Sequence, residues 1–197
     1  MHAAIAWSNV DRLVPHPRFR GELPRPQLKL TEQEVRGSYW RYDGAHIFPK
    51  TAIRADVSAQ LYTIYPRGYY VDMLKTCDDC SRAFIFYARE QRYWYETLGF
   101  YIDSDCVRCV ECRRAQHTLK RHMVRYQELQ ARSKLSRKEM MHFVDDTIFL
   151  FQQGKLKKLY RLEKVISAAL KQVPEYAGTK ALQQLLQSAR TISELAS

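Results

Sequence analysis

The chain has 197 residues, 46% of them hydrophobic, and a formal net charge of +11. The apolar fraction is enough for a core and argues against wholesale disorder, and no run of about eighteen apolar residues exists to span a membrane. The short apolar N-terminus has no positive region ahead of it and is interrupted by Asn9, Asp11 and Arg12, so it does not read as a signal peptide and a cytoplasmic location is expected.

The charge is unevenly spread. Residues 1–107 hold 14 Lys/Arg against 13 Asp/Glu, whereas residues 108–171 hold 16 against 6. An excess confined to one stretch points to an anionic partner rather than to general solubility.

In chain order, residues 1–38 read as a Pro/Arg-rich extended arm, with Pro15, Pro17, Pro24 and Pro26 alternating with Arg12, Arg18, Arg20 and Arg25. Such an arm is either a loose tail or a strap along a partner surface. Thr31 followed by Glu34 is a capping-box pattern that starts a short helical turn. Residues 39–114 are an aromatic-rich, strand-forming region. Sixteen of the 24 aromatic residues fall between Tyr39 and Tyr101, a pattern that suits a small core built from rings better than a stacking platform. Strands are expected at Leu61–Tyr65, leading on to Tyr69–Val71, then at Ala83–Tyr87 and at Phe100–Ile102. A short helix over Glu90–Glu96 should stop at Gly99.

Residues 115–197 read as a basic helical region. Ala115, Leu119, His122, Tyr126 and Leu129 form one apolar stripe, with Arg114, Arg121, Arg125 and Arg132 beside it. Ser136 with Glu139 caps a second helix whose inner face is Met140, Val144, Ile148 and Phe151. A third helix, about Lys155–Val173, should bury Leu156, Leu159, Ile166 and Leu170, and a last one carries Leu182, Leu185, Leu186, Ala189, Ile192 and Leu195. Asp145-Asp146 reads as a solvated helix edge. Phe149, Leu150 and Phe151 are consecutive, so they are not expected to face one core together.

All five cysteines lie between Cys77 and Cys112. Two C-x-x-C bends present four thiolates at tetrahedral corners and close the shell, which makes a structural Zn²⁺ site with no open position. Cys77/Cys80 is one pair, and spacing alone allows either Cys106/Cys109 or Cys109/Cys112 as the other. His117 and His122 are not needed as ligands once four thiolates suffice.

Cys77-x-x-Cys80, Phe84-x-Phe86, Glu90-Gln91, Leu98-Gly99-Phe100 and Arg108-Cys109-x-x-Cys112-Arg113 together resemble the probable zinc-ribbon family with a treble-clef-like pattern. The upstream run Tyr65-Pro66-Arg67-x-Tyr69-Tyr70-Val71-Asp72 is similar to longer bacterial members. The resemblance covers about residues 62–114. It implies the ligands Cys77, Cys80, Cys109 and Cys112, with Cys106 a non-ligand where the family has proline, and Ser81 in place of a glycine. It also implies that the second ligand pair opens a helix. The expected fold is α+β: a small four-cysteine module with short strands, then an all-α region.

No phosphate-cradling glycine loop, activated nucleophile or histidine base near the cysteines is evident, so neither catalysis nor a small-molecule substrate is expected. The leading expectation is nucleic-acid binding, RNA before DNA. The contacts would be Arg113, Arg114, Lys120, Arg121 and Arg125, with Lys155, Lys157, Lys158 and Arg161 as a second patch. The alternative is an adaptor that docks a protein partner through its C-terminal helices.

Overall fold

The computed structural model describes residues 13–19, 28 and 30–195, and side chains up to residue 192. Of the arm, Arg12, Arg20, Pro24, Arg25 and Pro26 lie outside the described residues, as do the N-terminal apolar patch and the Leu195 side chain. The chain packs as two compact units, Met1–Arg114 and Ala115–Ser197. Among the described residues no helix is long and apolar enough to cross a membrane.

The first unit is built on a three-stranded antiparallel sheet, β1 (Ile47–Arg54), β2 (Tyr69–Thr76) and β3 (Ala83–Phe86), in that spatial order. β2 is central and buried on both faces: Val71 and Met73 enter one apolar cluster with Tyr42 and Phe86, while Tyr70 enters another with Tyr95 and Ile102. β1 carries Pro49, which has no N–H to donate, and so sits at the edge. The β1–β2 register slips between Phe48 and Ile53. There the Thr51 hydroxyl replaces a ladder group, accepting from the Asp72 N–H at 2.8 Å and donating to the Phe48 carbonyl.

Helix α1 (Glu32–Gly37) has the capping box expected of Thr31 and Glu34. Part of the arm is neither tail nor strap: Val14 pairs with Phe84 of β3, its N–H donating to the Ala83 carbonyl at 2.9 Å. Helix α2 (Ala88–Arg92) follows β3 and widens into a π-turn over Tyr93–Thr97. It ends before Gly99, whose φ of 65° is the left-handed stop.

Two expected strands do not form. Leu61–Tyr65 and Phe100–Ile102 meet only in a single parallel bridge, Leu61 with Tyr101, and Ile64 and Tyr65 are exposed. Their β-forming rings have no opposing sheet to pack on, so propensity alone does not extend the pairing.

Helix α3 (Val110–Ala131) begins in the first unit and continues into the second, where α4 (Arg137–Gln152), α5 (Leu159–Gln172) and α6 (Ala177–Leu195) complete a bundle. Its core includes Tyr126, Leu129, Val144, Leu150, Leu162, Ala169, Val173 and Leu182. The α3 stripe is buried only at its far end: Tyr126 and Leu129 are covered, Leu119 and His122 partly so, and Ala115 is exposed. Leu170, expected inside, is exposed, as is Ile192 of the last helix, and Leu156 is buried from the loop before α5. Phe149, Leu150 and Phe151 all join the core, Leu150 fully and its neighbours in part, because packing surrounds this turn on more than one side.

Asp146 is not a solvated helix edge. It is fully buried and accepts both Arg125 Nε, at 2.7 Å, and Arg125 NH2, at 2.6 Å, with His122 Nδ1 also on its Oδ1. Asp145 accepts the Tyr176 hydroxyl at 2.7 Å.

Candidate metal centre

Two bends build the site. In the first, the Cys77 N–H donates to the Arg82 carbonyl at 3.0 Å, and the Cys77 carbonyl accepts the Ser81 N–H at 2.8 Å. This closes a tight turn that returns β2 into β3 and puts Ser81 at φ 57°, where glycine is at ease and a residue with a Cβ is not. In the second, the Cys109 carbonyl accepts the Arg113 N–H at 3.0 Å, so Cys109 stands at the entry of α3 and Cys112 in its first turn. The Asp78 N–H donates to the Val107 carbonyl at 3.0 Å and ties one bend to the other.

The four sulfurs of Cys77, Cys80, Cys109 and Cys112 all lie within 4.8 Å of one another, and Cys80 and Cys109 are 3.9 Å apart. Zinc with sulfur at about 2.3 Å demands tetrahedral edges of about 3.8 Å, so the donor set fits one Zn²⁺ with no position left for water or substrate. Cys77 and Cys109 are buried and the other two half-buried. The site is structural.

Cys106 stands apart. Its thiol is buried, donates to the Arg108 carbonyl at 3.4 Å, and is pushed up to about 12 by that burial, which suits a neutral core thiol. The ligand thiols divide, Cys109 being raised by burial like Cys106. Burial opposes ionisation of Cys77, but the backbone N–H groups of Cys109, Cys80 and Asp79 together outweigh it and bring it down to about 6. Cys80 is lowered by the N–H and then the guanidinium of Arg82. Cys112 is raised, first by burial and then by the neighbouring thiols. A bound dication removes that last obstacle by neutralising the charge the other thiolates accumulate.

Residues beyond the ligands hold the bends in place. Arg82 bridges Cys80 and Glu111, and Arg108 Nε donates to both oxygens of Asp79, at 2.9 and 3.0 Å. Gln91, wholly buried, donates from Nε2 to the Val71 carbonyl at 2.6 Å and the Phe86 carbonyl at 2.9 Å, stitching β2 to β3 behind the first bend. Arg67 is buried too, its guanidinium 4.1 Å from the Tyr39 ring and 4.6 Å from the Tyr95 ring, donating to the Ile102 carbonyl.

Residues 71–121 match the family model of the probable treble clef domain. The match starts in β2, takes in both bends, and ends within α3. No curated protein and no solved structure matches the chain. This part of the chain is thus similar to a treble clef, with four cysteines clustered as one structural zinc site, and helices follow it.

The expected nucleic-acid contacts divide. Arg113 is not available: it pairs with buried Glu90 at 2.6 Å and lies 4.9 Å over the Trp94 ring. Arg125 is held by Asp146. Arg114, Lys120, Arg121, Lys155, Lys157 and Lys158 are exposed and have no carboxylate partner among the described residues. Arg161 is half-buried beside Tyr160. Sequence reasoning missed Arg82, and it quoted Arg67, Glu90 and Gln91 as motif letters without a role. The only signal for them was that they recur in the pattern this stretch resembles.

Proposed function

We propose that the chain is a non-catalytic zinc-binding protein that binds nucleic acid, RNA in preference to DNA, through the basic surface of its helices in a reducing, cytoplasmic setting. One observation carries this reading. Residues 108–171 hold the charge excess, and there Arg114, Lys120, Arg121, Lys155, Lys157 and Lys158 stand exposed without carboxylates to neutralise them. Cations left unpaired on a surface gain most from a polyanion that releases its counterions on binding. Filter binding of the zinc-loaded chain to RNA should weaken by about two orders of magnitude between about 50 mM and 200 mM salt if about six phosphates are neutralised. No binding at the lower salt, or none of this dependence, overturns the reading.

A second reading, a protein-docking adaptor, draws on the treble-clef unit rather than on the C-terminal helices. Leu61, Tyr62, Ile64, Tyr65, Phe100 and Tyr101 are exposed on two segments joined by the Ile102 N–H to the Leu61 carbonyl at 2.8 Å. Crosslinking from cells separates the two readings: the first recovers nucleic acid, the second a protein that is lost with Ile64→Asp.

A further inference from the structure

Within the helical unit a cleft of about 440 Å³ opens between the end of α3, the start of α4 and the length of α5. Its floor is apolar, made by Tyr126, Leu129, Met140, Phe143 and Val165, all buried. Its rim is cationic: Lys134 on one side, and Arg161, Lys164 and Lys171 on the other. No Asp or Glu lines it, and none of those four cations pairs with a carboxylate among the described residues. Arg132, also at the rim, is taken by Glu139. Gln172 Nε2 closes one end on the Leu135 carbonyl at 3.2 Å.

Helical spacing explains the rim. Arg161, Lys164, Ala168 and Lys171 recur at three, four and three, so they share one face of α5, and their cations are strung over about 15 Å of axis. Tyr160 stands at the same mouth. It is 46% exposed, although a tyrosine this large gains by burying its ring. The Lys164 ammonium lies 5.7 Å from its centroid.

We propose that this cleft takes one unstacked base of single-stranded RNA, with flanking phosphates on Arg161, Lys164, Lys171 and Lys134 and a neighbouring base on Tyr160. The inference rests on the nucleic-acid reading above and narrows it to a strand type and a place. A duplex buries its bases in the stack and has no use for an apolar floor, whereas a single strand offers flat apolar faces between evenly repeated charges. A carboxylate with an aliphatic tail would satisfy one of the four cations and leave the others unpaired. Charge and shape thus select a polyanion with insertable rings.

The test uses the full, zinc-loaded chain and a fluorescein-labelled single-stranded oligouridine, read by anisotropy, with unlabelled duplex RNA as competitor. Tyr160→Ala should weaken binding about tenfold, the size of one lost stacking contact, and Tyr160→Phe should restore it. Lys164→Gln with Lys171→Gln should lower the salt slope by about 1.4. As a control, Lys180→Gln, exposed on α6, outside the cleft and not among the proposed contacts, should change affinity less than about twofold. These side chains are solvent-facing, so circular dichroism should report the same fold for each variant. If oligouridine binds but the cleft variants behave as wild type, or duplex competes as well as single strand, the cleft is not the site while the nucleic-acid reading stands. If wild type binds no RNA at low salt, both fall.

Discussion

Glu90 and Arg113 meet at 2.6 Å, joining the short helix after β3 to the first turn of the helix that carries Cys112. Glu90 is almost wholly buried and also faces His16 Nε2 at 3.5 Å, so three separate segments converge on one carboxylate. The residue that looked like the first phosphate contact instead braces the second bend. Removing one partner of a buried pair strands the other charge, so Arg113→Ala should destabilise the treble-clef unit by about 3 kcal/mol. Urea unfolding measures this. RNA affinity, compared at equal folded fraction, should stay within about twofold; a large loss there would return Arg113 to the binding surface.

The metal predictions separate two neighbouring thiols. Cys109→Ser removes a ligand from a closed shell, and a three-thiolate remnant should hold zinc far more weakly, seen as a zinc content well below one per chain after dialysis against a mild chelator. Cys106→Ser should keep one zinc per chain, because that thiol lies outside the four-sulfur cluster and a hydroxyl can keep the bond to the Arg108 carbonyl. Stripping of zinc by Cys106→Ser would show that the ligand set is wrong. Full removal of zinc should unfold the bends, since binding contributes on the order of 10–16 kcal/mol in small zinc modules.

What was legible in the sequence shares one property: it is local. The C-x-x-C spacings, the Thr31–Glu34 and Ser136–Glu139 capping boxes, and the helix stop at Gly99 each depend on residues a few positions apart. The misreadings are long-range. β1 was hidden by Pro49 and by a slip in register that breaks its alternation. Arg125 looked free because Asp146, 21 positions on, gives no periodic sign of being buried against it. Leu61–Tyr65 has strand-forming residues but no strand opposite. In the site, the ligand pair was ambiguous by spacing, and the resemblance chose the set that the sulfur cluster then showed.

Ser81 offers a gain rather than a loss. Its φ of 57° places a Cβ in the left-handed region, which costs about 1–2 kcal/mol for a residue other than glycine. Ser81→Gly should relieve most of this, offset by the extra freedom glycine has when unfolded. The expected net is a stabilisation of about 0.5–1 kcal/mol in the zinc-loaded chain, with Ser81→Val shifting the other way because its branched side chain tolerates this conformation least. If Ser81→Gly lowers the midpoint of thermal unfolding, the strain is not there.

Asp72 gives the pH dependence a sign. It sits on β2 inside the sheet, its Oδ1 accepting the Ala88 N–H at 2.6 Å. Burial pushes its carboxyl up to about 6 from an ordinary 3.8, against the pull of that N–H and of Arg89. A raised pKa means that the folded state holds the proton more tightly than the unfolded one. Stability from this group is therefore greatest at low pH and is lost as pH rises from about 4 through about 6. Asp72→Asn keeps a carbonyl oxygen for Ala88 but carries no charge. The advantage of the variant over the wild-type protein should therefore grow by roughly 1 kcal/mol between pH 5 and pH 7. Chemical unfolding of both, zinc-loaded, across that range is the measurement; curves that stay parallel would mean that Asp72 titrates alike in the folded and unfolded chain.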